Sequence, residues 1–253
     1  MQRVDFAASP RPPKPGSVLA RTSVEDMKRA AGREAARGVD SGMRLGLGTG
    51  STVAHFLEHL GARIARGELS SVVGVPTSVR TEEAARRLRI PVATLEELGA
   101  LDLTVDGADE VDPGLDLVKG LGGALLREKM VAQASARMLV IVDDSKLVTR
   151  LGERAPVPVE VVPFGHASHI AWLRGLGAEP RLRAGSNGDP YRTDNGNLVL
   201  DCSFDGGVAN PAGLERRLAC RAGVVESGLF LDVACEALVA GVGGVRRLAR
   251  KGP

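Results

Sequence analysis

The chain has 253 residues, 43% hydrophobic and 25% charged, so it can bury one large core or two lobes. A formal net charge of +2, with one Trp and one Tyr, argues against a dedicated nucleic-acid protein, which needs a basic face and aromatic stacking platforms. Cys202, Cys220 and Cys235 are far apart with no C-x-x-C pair, which excludes a zinc ribbon or a disulfide framework and reads as buried reduced thiols; no apolar run reaches the roughly 18 residues of a membrane span.

Residues 1–21 are rich in Pro and Arg, carry one acid, Asp5, and lack the apolar centre of a secretory signal. They read as a disordered tail of a cytoplasmic protein, with a short organelle transit peptide as the alternative. Thr22 or Ser23 can cap a helix over 24–37, which has Glu25 and Asp26 in its first turn and Gly38 at its end. Strands are then predicted at 43–47, 72–75, 101–105 and 138–142, and helices at 52–66, 81–88 and 124–136. Strands alternating with helices imply a parallel sheet covered by helices on both faces, a Rossmann-like layout. After Pro156-Val-Pro158 the pattern becomes strand 157–163, helix 166–176, strands 180–183 and 198–200, helix 211–219 and strand 224–230. That order fits a split-βαβ, ferredoxin-like α+β lobe. The expected class is α/β, with a catalytic domain of 22–155 plus 231–253 and a small lobe of 156–230.

Four segments carry chemistry. Gly46-Leu-Gly48-Thr49-Gly50-Ser51-Thr52 lies between a strand and a helix, where glycines admit a ligand and the helix start offers free N–H groups. The hydroxyls of Thr49, Ser51 and Thr52 add donors, and the whole suits one phosphate group. A P-loop is excluded because no Lys follows, and a dinucleotide fingerprint because Ser51 stands where its last glycine belongs. Asp106-Gly107-Ala108-Asp109-Glu110 follows another strand and brings carboxylates beside that loop, where mutual repulsion raises a pKa. Lys119-Gly120-Leu121-Gly122-Gly123 opens backbone N–H groups before a helix, an oxyanion-binding arrangement, and Glu128 follows inside that helix. Taken alone, Glu128 is an ordinary helix residue paired with Arg127 or Lys129; the combination singles it out. Lys146, after a fourth strand, can reach a phosphate. His55-Phe-Leu-Glu58-His59 matches a short zinc-peptidase pattern, but no third ligand follows, and its apolar neighbours put both histidines on a flank of the helix. His166 and His169 read as surface or partly buried.

In this order the stretches GLGTGSTVAHFLEHLG, LDLTVDGADEVDPGLDLVKGLGGALLREKM, VIVDDSKLV and LGERAPVPVEVVPFG, with YRTDNGNLVLD and GVVESGLF later, resemble the ribose-5-phosphate isomerase A family. The resemblance runs from about Thr22 to about Gly244. It implies interconversion of D-ribose 5-phosphate and D-ribulose 5-phosphate in the pentose phosphate pathway, with no cofactor, no metal, no nucleic acid or membrane partner, and a homo-oligomeric state, dimer or tetramer. Thr49, Gly50, Ser51 and Thr52 would lie along the substrate, chiefly at its phosphate, and Lys146 would complete binding. Asp106 would assist ring opening, with Gly107, Ala108 and Asp109 along the sugar. Lys119 and the N–H groups of Gly120, Leu121 and Gly122 would hold the enediolate oxygen, and Glu128 would carry the proton between C2 and C1. Leu121 interrupts the family's glycine run. A sugar-phosphate sensor is the alternative from another class, but the segment before Thr22 is too short and Pro-rich for a helix-turn-helix. Relatives acting as deaminases or CoA transferases are a second alternative, separable by a substrate screen.

The chemistry is self-consistent. Moving a carbonyl from C1 to C2 requires one carboxylate to remove a carbon-bound proton and return it one carbon away. Fixed N–H donors and a Lys can stabilise the charge that develops on oxygen. The phosphate supplies binding energy away from the reacting carbons.

Overall fold

A computed structural model describes residues 22–250; the expected tail, 1–21, lies outside them. Helix α1 (Val24–Arg37) starts at Ser23, whose hydroxyl accepts the Asp26 N–H while the Asp26 carboxylate takes the Ser23 N–H, a reciprocal cap. Then come β1 (Arg44–Leu47), α2 (Ser51–Ala65), β2 (Val73–Pro76), α3 (Val79–Arg87), a single-turn α4 (Leu95–Leu98) and β3 (Leu103–Asp106). The next stretch holds β4 (Glu110–Val111), β5 (Leu117–Val118), α5 (Leu125–Gln133) and β6 (Met138–Asp143). Most boundaries lie a residue or more from expectation, and two of the shifts have clear local reasons. Helix α3 begins two residues early because the Ser78 side chain accepts the Thr81 N–H. Helix α5 stops at Gln133 because the chain turns back onto Leu101, with N–H to carbonyl distances of 2.9 Å from Leu101 to Ala134 and from Ala136 to Leu101.

The second part comprises β7 (Val157–Val161), α6 (Ala167–Arg174), β8 (Ala178–Leu182), β9 (Leu198–Phe204), α7 (Pro211–Ala219) and β10 (Val224–Ser227). After it, β11 (Leu229–Phe230), β12 (Glu236–Gly241) and β13 (Gly244–Ala249) return to the first. The main sheet runs β2-β1-β3-β6-β12-β13, parallel except for β13, which hairpins back along β12 as an antiparallel edge. The antiparallel sheet of the small lobe runs β10-β7-β9-β8, the ferredoxin-like order. The expected single strand at 224–230 is two. The chain leaves the small sheet at Gly228 and pairs β11 with β5 in a three-stranded sheet, β11-β5-β4. Gly228 is obligatory there, since a Cβ would fall 2.2 Å from the Lys119 carbonyl oxygen.

One core joins α1 and α2 to one face of the main sheet, through Ala31, Ala35, Phe56 and Leu60 against Leu45, Val105 and Ile141. Complete burial of a side chain such as Phe56 contributes about 1.5–3 kcal/mol. A second core covers the opposite face, where Val111, Leu117, Ala132 and Phe230 meet Val140 and Val239. A third belongs to the small lobe, around Val159, Leu173, Leu200 and Leu218. Strand order reverses at β1: the chain goes outward to β2, then crosses to β3 on the other side. Ligands of open parallel sheets bind beyond the strand ends at such a point.

Candidate active site

The loops leaving β1 and β3 meet at that reversal. Gly48 lets them touch, because a Cβ there would lie 2.1 Å from Asp106 Oδ1. With the side chain absent, Asp106 Oδ1 accepts the Thr49 N–H at 3.0 Å and the Gly107 N–H at 2.7 Å. Asp106 Oδ2 lies 3.0 Å from Lys119 Nζ. The same ammonium donates to the Gly107 carbonyl at 2.7 Å and stands 3.3 Å from Glu128 Oε1. Asp106, Lys119 and Glu128 are all buried, with 0%, 2% and 4% exposure. Glu128 Oε2 is buried with no hydrogen-bond partner among the described residues. From the other side, Lys119 Nζ sits 5.5 Å from the centre of the Phe230 ring.

Two carboxylates thus share one ammonium out of water. Burial first, and then the nearby Asp106 charge, push the Glu128 carboxyl up to about 8 against the pull of Lys119. Burial raises the Asp106 carboxyl as well. Asp106, however, accepts two backbone N–H groups and the Glu128 carboxylate accepts none among the described residues, so the shared proton resides on Glu128. Lys119 is held charged above the ordinary lysine value: burial alone would lower it, but Asp106 and Glu128 outweigh burial.

A cavity of about 130 Å³ opens in front of this group. Thr49, Gly50, Ser51, Thr52, Gly107, Ala108, Asp109, Lys119, Gly120, Gly122, Glu128 and Lys146 line it. Two expected substrate contacts are corrected. Asp106 does not reach the cavity, because it is fully buried behind Lys119, with Oδ1 accepting two N–H groups and Oδ2 set against the ammonium. Leu121 does not line it either: its side chain is turned outward and exposed, and its N–H donates to Asp109 Oδ2 at 3.0 Å. Glu110, read with the acidic cluster, faces away and accepts the N–H groups of Gly152, Arg154 and Ala155 at 2.5, 2.6 and 2.7 Å, pinning the crossing to β7.

Thr49 borders the cavity, but its hydroxyl is committed elsewhere. It donates to Ser78 at 2.8 Å, Ser78 donates to Thr81 at 3.0 Å, and Thr81 donates to the Gly48 carbonyl at 2.9 Å. This relay ties the loop after β1 to the start of α3. Among the described residues, no other side chain engages the Ser51 or Thr52 hydroxyl. Sequence reasoning missed Lys28 of α1, which also lines the cavity. No local signal marks it, since a lysine between Met27 and Arg29 looks like any solvated helix charge.

Other expectations are revised. His55 is buried, and its ring nitrogens pair with Glu25 at 2.7 Å and Glu58 at 3.1 Å. Among the described residues no group of three or more His, Cys, Asp and Glu could hold a metal. His169 is buried rather than superficial. Of the cysteines only Cys202 is buried; Cys220 and Cys235 are exposed, and all three are free. A larger cleft of about 570 Å³ lies between α3, α4 and α5. It lacks the converging buried groups, and its Glu82 and Arg86 pair with each other at 2.7 Å. No described helix is long and apolar enough to cross a membrane.

A family model described as ribose 5-phosphate isomerase A (phosphoriboisomerase A) matches residues 73–244. The chain is 50% identical over 227 residues to the ribose-5-phosphate isomerase A of Chloroflexus aurantiacus, covering 90% of this chain and 95% of that one. It is 52% identical over 221 residues to that of Roseiflexus castenholzii, covering 87% and 94%. Among solved structures, a D-ribose-5-phosphate isomerase in complex with phospho-erythronic acid superposes with a TM-score of 0.88 at 42% identity, over 90% of this chain and all of that one. The ribose 5-phosphate isomerase A of Methanocaldococcus jannaschii does so with a TM-score of 0.85 at 41% identity, over the same shares.

Proposed function

The chain belongs to the ribose 5-phosphate isomerase A family and interconverts D-ribose 5-phosphate and D-ribulose 5-phosphate in the pentose phosphate pathway; from this premise we propose that Glu128 moves the proton. The observation carrying that assignment is the unpaired, buried Oε2 of a carboxylate that borders the cavity. Ionised Glu128 takes the proton from C2 of the open-chain aldose. The electron pair moves into a C1–C2 double bond, and charge builds on O1. Lys119 Nζ and the N–H of Gly122, a residue that lines the cavity and whose amide has no acceptor among the described residues, stabilise that oxygen. Return of the same proton to C1, with the hydroxyl proton passing from O2 to O1, gives the ketose. A base whose value lies near 8 is strong enough for a carbon acid and is still ionised in about one free molecule in ten at pH 7.

Asp106 acts from behind, holding Lys119 and the loop after β1, while Asp109 meets the sugar hydroxyls during ring opening. The phosphate lies against the start of α2, between the Ser51 and Thr52 hydroxyls and the ammonium groups of Lys28 and Lys146. No cofactor takes part. Residues 22–155 with 231–250 form the domain that holds these groups, and 156–230 form the second lobe. The protein works in the cytoplasm, where its three free thiols fit a reducing compartment. It assembles as a homo-oligomer, dimer or tetramer, in keeping with Phe164, which stands 93% exposed on the small lobe.

The test is Glu128→Gln. Isomerisation should fall by at least roughly 10³-fold, while phospho-erythronic acid, whose carboxylate mimics the enediolate oxygens, still binds. Turnover within tenfold of the parent would remove Glu128 from the role.

A further inference from the structure

The turn 120–123 must present its amides at fixed positions, yet three of its four residues are glycine, and Gly120 and Gly123 sit at φ +104° and +80°. Such a segment has little conformational preference of its own. Its Gly123 N–H closes the turn on the Gly120 carbonyl at 3.0 Å and Asp109 takes the Leu121 N–H, and the side-chain donor to its carbonyls comes from the small lobe. Arg183, just beyond β8, donates through Nη1 to the Gly120 carbonyl at 2.9 Å and to the Leu121 carbonyl at 3.1 Å. Its guanidinium is fixed in turn by a two-pronged pair with Asp201 of β9, with Nε to Oδ2 at 2.9 Å and Nη2 to Oδ1. It also lies 5.7 Å from the centre of the Tyr191 ring. Tyr191 packs directly against Gly123, where a Cβ would meet the phenol oxygen at 2.1 Å.

In a trans peptide the carbonyl and the following N–H point in opposite directions, and no described peptide here is cis. Anchoring the Gly120 carbonyl on Arg183 therefore drives the Leu121 N–H the other way, and it does meet Asp109 Oδ2 on the cavity side. Anchoring the Leu121 carbonyl does the same for the Gly122 N–H, which has no acceptor among the described residues and belongs to a residue lining the cavity. We infer that Arg183 is a positioning residue for isomerisation: from outside the cavity, it sets the direction of the Gly122 amide that stabilises the enediolate oxygen. This rests on the oxyanion role given above to that amide.

The role requires that losing Arg183 slow the chemical step without loosening the phosphate. In Arg183→Met, kcat should fall roughly 10–100-fold, a share of what loss of an oxyanion donor costs. KM and inhibition by inorganic phosphate should stay within about threefold, and the isotope effect from deuterium at C2 of the substrate should be fully expressed on kcat. Asp201→Asn, which frees the guanidinium without removing it, should lower kcat in the same way by less, and Arg183→Lys should recover part of the loss. Thermal unfolding of each variant identifies those that remain folded. A folded Arg183→Met protein with kcat within threefold of the parent would overturn the role, as would a folded Asp201→Asn protein with no loss of kcat at all. So would weakening of phosphate inhibition in parallel with kcat. Glu128→Gln in the same assay separates the two readings: if it is inert while Arg183→Met is normal, only the Arg183 role fails; if it is active, the proton-transfer reading itself fails.

Discussion

Glu128 should weaken the fold it serves, and replacing it by Gln should stabilise the protein in a pH-dependent way. Its carboxyl titrates at about 8 in the folded chain and at the ordinary 4.5 once unfolded. Between those values the folded chain holds a proton that the unfolded chain has released, so stability falls as pH rises through the window and levels off above it. At 1.36 kcal/mol per pH unit, the cost reaches about 5 kcal/mol above pH 8, about 3 kcal/mol at pH 7 and about 1 kcal/mol at pH 5. Gln has nearly the shape of the protonated side chain and does not titrate. Glu128→Gln should therefore be more stable by about those amounts, and at pH 7 roughly 2–4 °C of melting temperature accompanies each kcal/mol for a chain of this size. Urea unfolding of both proteins at pH 5, 7 and 9, in buffers free of phosphate, reads the gap directly. A gap that does not widen with pH would show that burial of the charge is not what raises this group. A variant less stable at pH 9 would show that Lys119 stabilises the carboxylate more than burial opposes it.

The same titration governs catalysis: kcat/KM should rise about tenfold per pH unit on the acid side and level off near pH 8, and a flat profile between pH 6 and 8 would deny a base with this value. Thr52→Ala should raise KM roughly tenfold, since a hydrogen bond to a charged group contributes about 1.5–3 kcal/mol, and should leave the melting temperature unchanged. Thr49→Ala should instead cost about 1–3 kcal/mol of stability by breaking the relay through Ser78 and Thr81, so chemical unfolding and Michaelis kinetics together distinguish the two threonines. Activity should persist after dialysis against excess EDTA; a loss restored only by zinc would reopen the His55 and His59 pattern.

Much of this was legible because strand ends are local. Gly48, Thr52, Asp106, Asp109 and Lys146 each stand within a few residues of the end of a buried strand, and a parallel sheet delivers all such ends to one edge. Glu128 was legible only in company with Lys119 and the glycines before it. Errors arose where a residue's direction depends on packing. Asp106 and Asp109 are three residues apart, yet one is sealed behind an ammonium and the other faces the cavity, because Gly48 admits only the first against the loop after β1. The break at Gly228 was hidden because Val224–Phe230 is uniformly strand-like, and only the approach of Lys119 forces the chain from one sheet to another.

Distance along the chain explains what stayed out of reach. Lys28 reaches the cavity from a helix that precedes the first strand, and Arg183 acts across 63 residues on carbonyls that any residue would supply. Neither belongs to a compact motif. The division of labour follows from this. Groups that exchange protons must be crowded into one buried cluster, where each perturbs the next, and crowding leaves a mark in sequence. Groups that only set the direction of a peptide need a stiff lever anchored elsewhere. Arg183, clamped by Asp201 and laid against Tyr191, is such a lever. The small lobe thereby serves the reaction through the backbone of the glycine turn, even though none of its own residues borders the cavity.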